Sequence, residues 1–178
     1  MNTVVSKLES RIEEMRRLFD ESFAIVPHEQ VAELQPMLAI TLDAGRYAIP
    51  IREISGLAAL TEKIVPVPSR VPELLGLTGV RGIVVPVFDL AKLLGLKSQR
   101  EQVRWLVFCG ERQSPIALAF ETMERMFELP STEKIVPQDG HGRYISASLR
   151  EGVTLRGLIS ISALLERIKT RGASERRK

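Results

Sequence analysis

Few residues in this chain could perform covalent or metal chemistry. There are two histidines, His28 and His141, and one cysteine, Cys109. Neither histidine has a metal-binding neighbour at helical or hairpin spacing, and a lone thiol can build neither a disulfide framework nor a zinc cluster. Cys109 ends the apolar run "VRWLVFC", which marks it as a buried small side chain. "GVRG" and "GHGR" lack the spacing of phosphate-binding loops, and no serine, histidine and aspartate form a nucleophile with its base. No catalytic residue, metal or cofactor is expected. One polar side chain does stand out. Arg81 lies in "LLGLTGVRGIVVPVFDLAKLLGL" (Leu74–Leu96), among apolar residues and beside Gly76, Gly79 and Gly82. The glycines permit tight turns and close backbone approach. A guanidinium so placed either bridges to a local carboxylate or carbonyl, or faces a partner surface as a planar multi-donor. The chemistry on offer is recognition.

The elements that must position Arg81 read as short strands. All ten prolines fall between Pro27 and Pro137, too closely spaced for long helices. "MLAITLD", "RYAIPI", "GIVVPVF", "VRWLVFC", "PIALAF", "RYISAS" and "VTLRGLIS" are strand-sized, several with period-two alternation, and turn residues separate them. Pro86 cannot donate to a ladder and marks an edge or a bulge. Ahead of these strands, Ser6 to Glu9 fits a capping box. Leu8, Ile12, Met15, Phe19 and Phe23 then paint one apolar helical stripe that Pro27 stops, giving an N-terminal helical extension over 1–26. A stripe on one short helix needs a surface to cover, and packing on the body of the same protein is the simpler reading beside a partner-binding helix.

The hexamer "TEKIVP" occurs twice, at Thr61–Pro66 and Thr132–Pro137, 71 residues apart. The same offset lays Val87–Leu94 on Leu158–Leu165, with Asp89 on Ser160, both helix-capping types. It also lays Leu74 and Gly76 on Ile145 and Ala147, and a one-residue slip lays Ile51 and Ile54 on Met123 and Met126. Two β modules, roughly 37–100 and 101–168, therefore follow one another, each closing with a short helix. Two copies are too few for a solenoid, so a paired, pseudo-symmetric unit is expected.

At 178 residues, with 44% hydrophobic and 26% charged residues, the chain suits one ordinary globular domain or two small ones sharing a core. No apolar run is long enough to span a bilayer and no signal-peptide apolar region opens the sequence, so a cytoplasmic protein without membrane insertion is expected. The net charge of +3 is local: Lys169–Lys178 carries five basic residues and one acid, a net +4 that leaves −1 for the rest. A basic tail on a near-neutral body with nine aromatics speaks against nucleic acid, which needs organised positive charge and stacking platforms. A nucleic-acid-binding small barrel is the weaker alternative, and an enzyme has no assembled site.

The central run resembles the signature of the CheW-like family, the coupling proteins of bacterial chemotaxis. The family pattern is approximately N-L-R-G-x-x-x-P-V-x-D-L preceded by a glycine. Gly76 leads "GVRGIVVPVFDL", in which Val80, Arg81, Gly82, Pro86, Val87, Asp89 and Leu90 match in type and spacing. "LAITLDAGRYAIPI", "IVPVPSRVPELLGL" and "YISASLREGVTLRGLISISALLERI" are similar to the family's opening hairpin, its connection into the signature and its closing segment, so the resemblance covers about 37–168. It implies a mainly β fold of two five-stranded SH3-like barrels over 27–168, with short helices, and a basic tail at 169–178. It further implies a non-enzymatic adaptor joining a chemoreceptor's cytoplasmic domain to the regulatory domain of a CheA-type histidine kinase. On that reading Val80, Arg81, Gly82, Ile51, Ile54, Gly56, Val84 and Val87 would face partners, while Gly76, Pro86, Asp89 and Leu90 would hold the structural signature. Two positions depart from the pattern. Gly79 replaces the asparagine, and Gly56 replaces the acid that accompanies the arginine, with Glu53 nearby. They motivate a variant in which receptor binding is kept, direct kinase coupling is lost and another partner is served.

Overall fold

The computed structural model describes residues 14–15, 34–98, 103–130 and 143–175. Of the expected N-terminal helix, Glu14 and Met15 are described and are helical. The capping box, the other stripe residues, His28, His141 and the second hexamer at Thr132–Pro137 lie outside the described residues.

In chain order the described strands are β1 (Leu34–Leu42), β2 (Gly45–Pro50), β3 (Gly56–Ala59), β4 (Leu74–Val80), β5 (Ile83–Asp89), β6 (Trp105–Glu111), β7 (Ser114–Phe120), β8 (Thr122–Pro130), β9 (Ile145–Glu151) and β10 (Thr154–Ile159). Helices α1 (Leu90–Leu93) and α2 (Ile161–Glu175) follow β5 and β10. One five-stranded sheet has the order β3-β6-β7-β5-β4 and uses a continuous stretch of chain; the other, β8-β1-β2-β10-β9, uses two stretches. We call them the contiguous and the split sheet.

The repeat is visible in three dimensions: β4 and β9 open at Leu74 and Ile145, β5 and β10 at Ile83 and Thr154, all at the offset of 71. The expected division near residue 100 does not match sheet membership and is corrected here. Each copy lends its first hairpin to the other copy's sheet. The β1–β2 hairpin joins the split sheet through a parallel pair, Tyr47 opposite Gly157 and Ala48 opposite Leu158. The β6–β7 hairpin joins the contiguous sheet likewise, Val87 opposite Ala117 and Phe88 opposite Leu118. A two-stranded hairpin is marginal alone and needs further strands, and alternation in sequence does not say whose edge supplies them.

Both sheets curl. Arg125 of β8 pairs with Glu151 of β9, although these strands are opposite edges of the split sheet. In the contiguous sheet the edge strands β3 and β4 line one common cleft. Each curl encloses its own apolar cluster: Met37, Ala48, Leu149 and Leu158 in the split sheet, and Leu75, Val85, Val87 and Leu106 in the contiguous one. A third cluster is shared between the sheets and includes Leu38, Ile40, Val107, Leu118, Phe120 and Ile159. A strand facing two clusters is buried on both faces, which is why Met37–Ile40 form an unbroken buried run where one-sided alternation would be expected. Each fully buried Leu or Phe contributes about 1.5–3 kcal/mol.

The helices are fixed at their starts. The buried Asp89 accepts from the Lys92 N–H at 3.1 Å and from the Ser98 hydroxyl, while Gly95, at φ +79, ends the turn beyond α1. Ser160 accepts from the Ala163 N–H at 3.3 Å, so the paired positions Asp89 and Ser160 both cap. Ile161, Leu164, Leu165 and Ile168 turn one face of α2 to the shared cluster. Beyond it, Arg167 donates to the Leu93 carbonyl at 2.9 Å and to the buried Glu73 at 2.7 Å, and Arg171 donates to both Glu73 oxygens.

Candidate functional site

Arg81 and Gly82 are the two loop residues of the β4–β5 hairpin, whose closing pair is Val80 and Ile83. Both have positive φ, +47 and +80, the two-residue turn that matches the twist of the flanking strands. Gly82 adopts that backbone freely, whereas for Arg81 it is uncommon. The Arg81 side chain is exposed, and no described residue hydrogen-bonds or ion-pairs with it. Of the two roles open to it in sequence, the local bridge is not formed among the described residues.

The acid nearest Gly56 in sequence is committed elsewhere. Glu53 lies in a single 3-10 turn, Ile51–Glu53, and its Oε2 accepts from the Ile161 N–H at 3.1 Å, supplying a second cap to α2. Gly56 stands in β3 opposite Phe108, where an added Cβ would touch the Phe108 ring at 3.4 Å.

Around Arg81 the signature splits by face. Val84 is 70% exposed and Ile83 48% exposed, while Val85 and Val87 are fully buried in the sheet's own cluster. Val87 is therefore core, which corrects its place among the partner-facing residues. Ile51 and Ile54 are half-buried and pack on the shared cluster, so they support the junction between sheets more than they offer surface. Val80 is half-buried at the end of the inner cluster.

The structural signature positions have clear reasons. Gly76, at φ +146, lies against the chain that carries the first hexamer: Val65 and Leu77 exchange backbone hydrogen bonds of 2.8 and 2.9 Å. A Cβ on Gly76 would come to 2.1 Å from the Val65 carbonyl oxygen, so only glycine fits. Pro86 pairs with Leu77 of β4, and the β7 ladder on its other side begins only at Val87. Its missing N–H is thus no loss. Leu90 and Asp89 start α1 as buried residue and cap.

Because β7 joins so late, Ile83–Pro86 of β5 have a flank with no strand partner among the described residues. Beside it runs a groove of about 600 Å³ lined by Ile83, Val84, Pro86, Ile116, Leu165 and Lys169. A second depression, about 240 Å³, lies on the β4 side between Ala58, Ala59, Gly79, Val80 and Arg81. The hairpin tip carrying Arg81 borders this second depression, and the next residues of β5 border the first. Ile83, Ile116, Leu165, Ala58 and Ala59 were missed in sequence, since nothing in a short apolar run tells the outward residue from the inward one.

Sequence reasoning also missed the polar centre of the split sheet. Arg156 of β10 is 3% exposed and donates through Nε to Glu151 at 2.9 Å and through both terminal nitrogens to Glu124 at 3.0 and 2.7 Å. Thr41 donates to the same Glu124 at 2.7 Å. Glu124 is the residue skipped by the register shift of β8 against Ala39 and Ile40, and such bulges re-aim a side chain. The Arg156 hydrogen bonds, aided by Thr41 and by the charges of Arg156 and Arg46, hold the Glu124 carboxyl down at about 2. The Phe127 ring lies 5.7 Å from the Arg125 guanidinium and 6.0 Å from that of Arg156. The repeat offset places Arg156 on Val85, a signal that this position points inward. Cys109 is buried as expected, its thiol pushed up to about 12 by desolvation.

A comparison with curated protein sequences gave no match. Among solved structures, the chain is similar to the scaffolding protein TtCheW from Thermoanaerobacter tengcongensis, with 14% identity and a TM-score of 0.64, over 75% of this chain and 93% of that one. At that identity the likeness concerns the fold. The family model of the CheW-like domain matches residues 36–169. With that match over most of its length, and with Gly76, Arg81, Gly82, Pro86 and Asp89 placed as described, the chain belongs to the CheW-like family of scaffold proteins.

Proposed function

We propose that this protein is a cytoplasmic, non-enzymatic adaptor that couples chemoreceptors to a CheA-type histidine kinase, each curled sheet serving as an SH3-like barrel. Family membership supports the adaptor role. The observation that carries the reading is that, among the described residues, Ile83–Pro86 of β5 have no strand partner on one flank, and Ile83 and Val84 present apolar surface there beside an exposed, unbridged Arg81. Apolar contact with a directional charged rim is the make-up of a protein-docking face. Among the described residues no helix is long and apolar enough to cross a membrane.

Co-purification of the full chain with a receptor's cytoplasmic fragment, and separately with the kinase regulatory domain, tests the proposal. Val84→Glu and Arg81→Ala each weaken binding by roughly tenfold or more, as expected when an anchor near the centre of an interface is lost. Both variants melt within about 1 kcal/mol of wild type, because exposed positions carry little stability. Wild type that retains neither partner, or variants that bind both as wild type does, would sink it.

A second reading keeps the receptor and drops the kinase. Gly56 stands where the family's acid would, and Glu53 is engaged at Ile161, so neither position gives Arg81 an acidic companion. Robust binding to both partners in the same experiment removes this variant.

A further inference from the structure

The gap between the two edge strands is filled in one sheet and open in the other. Matching the hairpin closures Leu42–Gly45 and Glu111–Ser114 makes Met37 of β1 equivalent to Leu106 of β6, and both are buried in their own sheet's cluster. Met37 faces Phe127 and Leu106 faces Ala58. Ala58 thus stands where the split sheet has Phe127, and Gly56 where it has Arg125. The offset of 71 puts Val80 and Gly79 at the places of Glu151 and Arg150. Phe108 of β6 takes part of the room, where β1 has Ala39. What remains is the cleft of about 240 Å³, with Leu106 and Phe108 at its base and Ala58, Ala59 and Gly79 at its sides. An apolar cavity of roughly 150 Å³ accommodates a benzene ring. The cleft is therefore large enough for the ring its counterpart already holds.

We propose that the β3–β4 cleft receives one aromatic side chain from the docking partner, with an acidic partner residue beside it against Arg81. This rests on the adaptor reading and gives the partner's chemistry at that face. Charge sets the direction of approach: Arg81 stands on the β4 side of the cleft and Glu62 on the β3 side. A partner acid is favoured at the first and disfavoured at the second. Two side chains turn toward the cleft: Val80 packs on the inner cluster beside Leu106, and Ala58 pairs with Leu106. Gly79 pairs with the outward Val84 and lines the cleft with backbone alone.

The test has two arms on the full chain. In the first, N-acetyl-phenylalanine amide and N-acetyl-alanine amide are titrated while NMR follows the Ala58 and Ala59 methyls and the Gly79 amide. The phenylalanine probe shifts them saturably in wild type, the alanine probe does not, and Val80→Phe and Ala58→Phe abolish the response. Absence of saturation, or an unchanged response in both variants, overturns the proposal. A Phe19→Ser/Phe23→Ser chain that binds the probe far more tightly than wild type would show the occupant to be the protein's own N-terminal segment, and also overturns it. In the second arm, Ala58→Phe lowers receptor-fragment retention by roughly tenfold, the loss expected for an anchor residue. Equal retention by Ala58→Phe and wild type defeats the cleft and leaves the adaptor role standing. A cleft that takes the probe in a wild type retaining neither partner does the reverse.

Discussion

Where the split sheet rolls its edges together, Arg156 holds Glu124 and Glu151 and Phe127 lies under two guanidinium groups. At the same places the contiguous sheet has Val85, Val80 and Ala58, with a cleft between its edges. Strand order is common to both. One sheet uses charge and an aromatic ring to close itself; the other leaves that space beside an exposed arginine on a constrained turn. Duplication lets one copy keep the scaffold while the other changes its surface. Substitutions that leave the strand order alone decide which sheet does which.

The largest expected effect comes from breaking the closure. Arg156→Met strands Glu124 and Glu151 and costs about 3–5 kcal/mol in urea unfolding, the usual result of removing one partner from a buried pair. Replacing all three by apolar residues, as the contiguous sheet does at Val85 and Val80, recovers most of that loss. A neutral Arg156→Met would show that the ring and the ladders close the sheet without the charges. The same pairing makes stability acid-sensitive. The folded Glu124 carboxyl titrates near 2, below its ordinary 4.5, so the unfolded chain takes up the proton first. The stabilisation is complete above the unfolded value and is lost as pH falls from about 4.5 through 2, and Glu124→Gln removes that part of the acid dependence.

Next in size is an exchange between equivalent positions. Gly76→Ala drives a Cβ into the Val65 carbonyl and should cost about 2–3 kcal/mol, a strain-plus-clash penalty. The converse change at its counterpart, Ala147→Gly, should cost only about 1 kcal/mol, through backbone entropy and lost contact. Equal effects would mean that the hexamer strand does not press on β4. Smallest is Glu53→Ala, which removes one cap from α2 while Ser160 keeps another, for a loss of about 1 kcal/mol in thermal unfolding.

Much of the architecture was legible. The duplicated hexamer and its offset led to paired strands and paired helix caps, and the signature's glycine, proline and aspartate proved to have the structural reasons those residue types suggest. The exchange of hairpins was not legible, because alternation tells which face a residue takes and not which copy supplies the neighbouring strand. Val87 was misplaced for a related cause: "GIVVPVF" is apolar throughout, so its phase is hidden, and only the structure separates Val84 and Pro86 from Val85 and Val87. Arg156 escaped notice because Leu155 points out and Arg156 in, the reverse of what polarity suggests. Of the face proposed for docking, Arg81, Gly82 and Val84 were legible in sequence and are exposed. Its other apolar residues come from β3, β7 and α2 as well as β5, which no local pattern connects.

The lending of hairpins sets a timetable for the growing polypeptide. Residues 56–120 hold every strand of one sheet and can assemble as soon as they leave the ribosome. The opening hairpin, though synthesised earlier, must wait with an unpaired edge until β10 emerges more than a hundred residues later. That delay makes the last step a slow, non-local closure, and a prematurely terminated chain would offer its waiting strand to a second molecule.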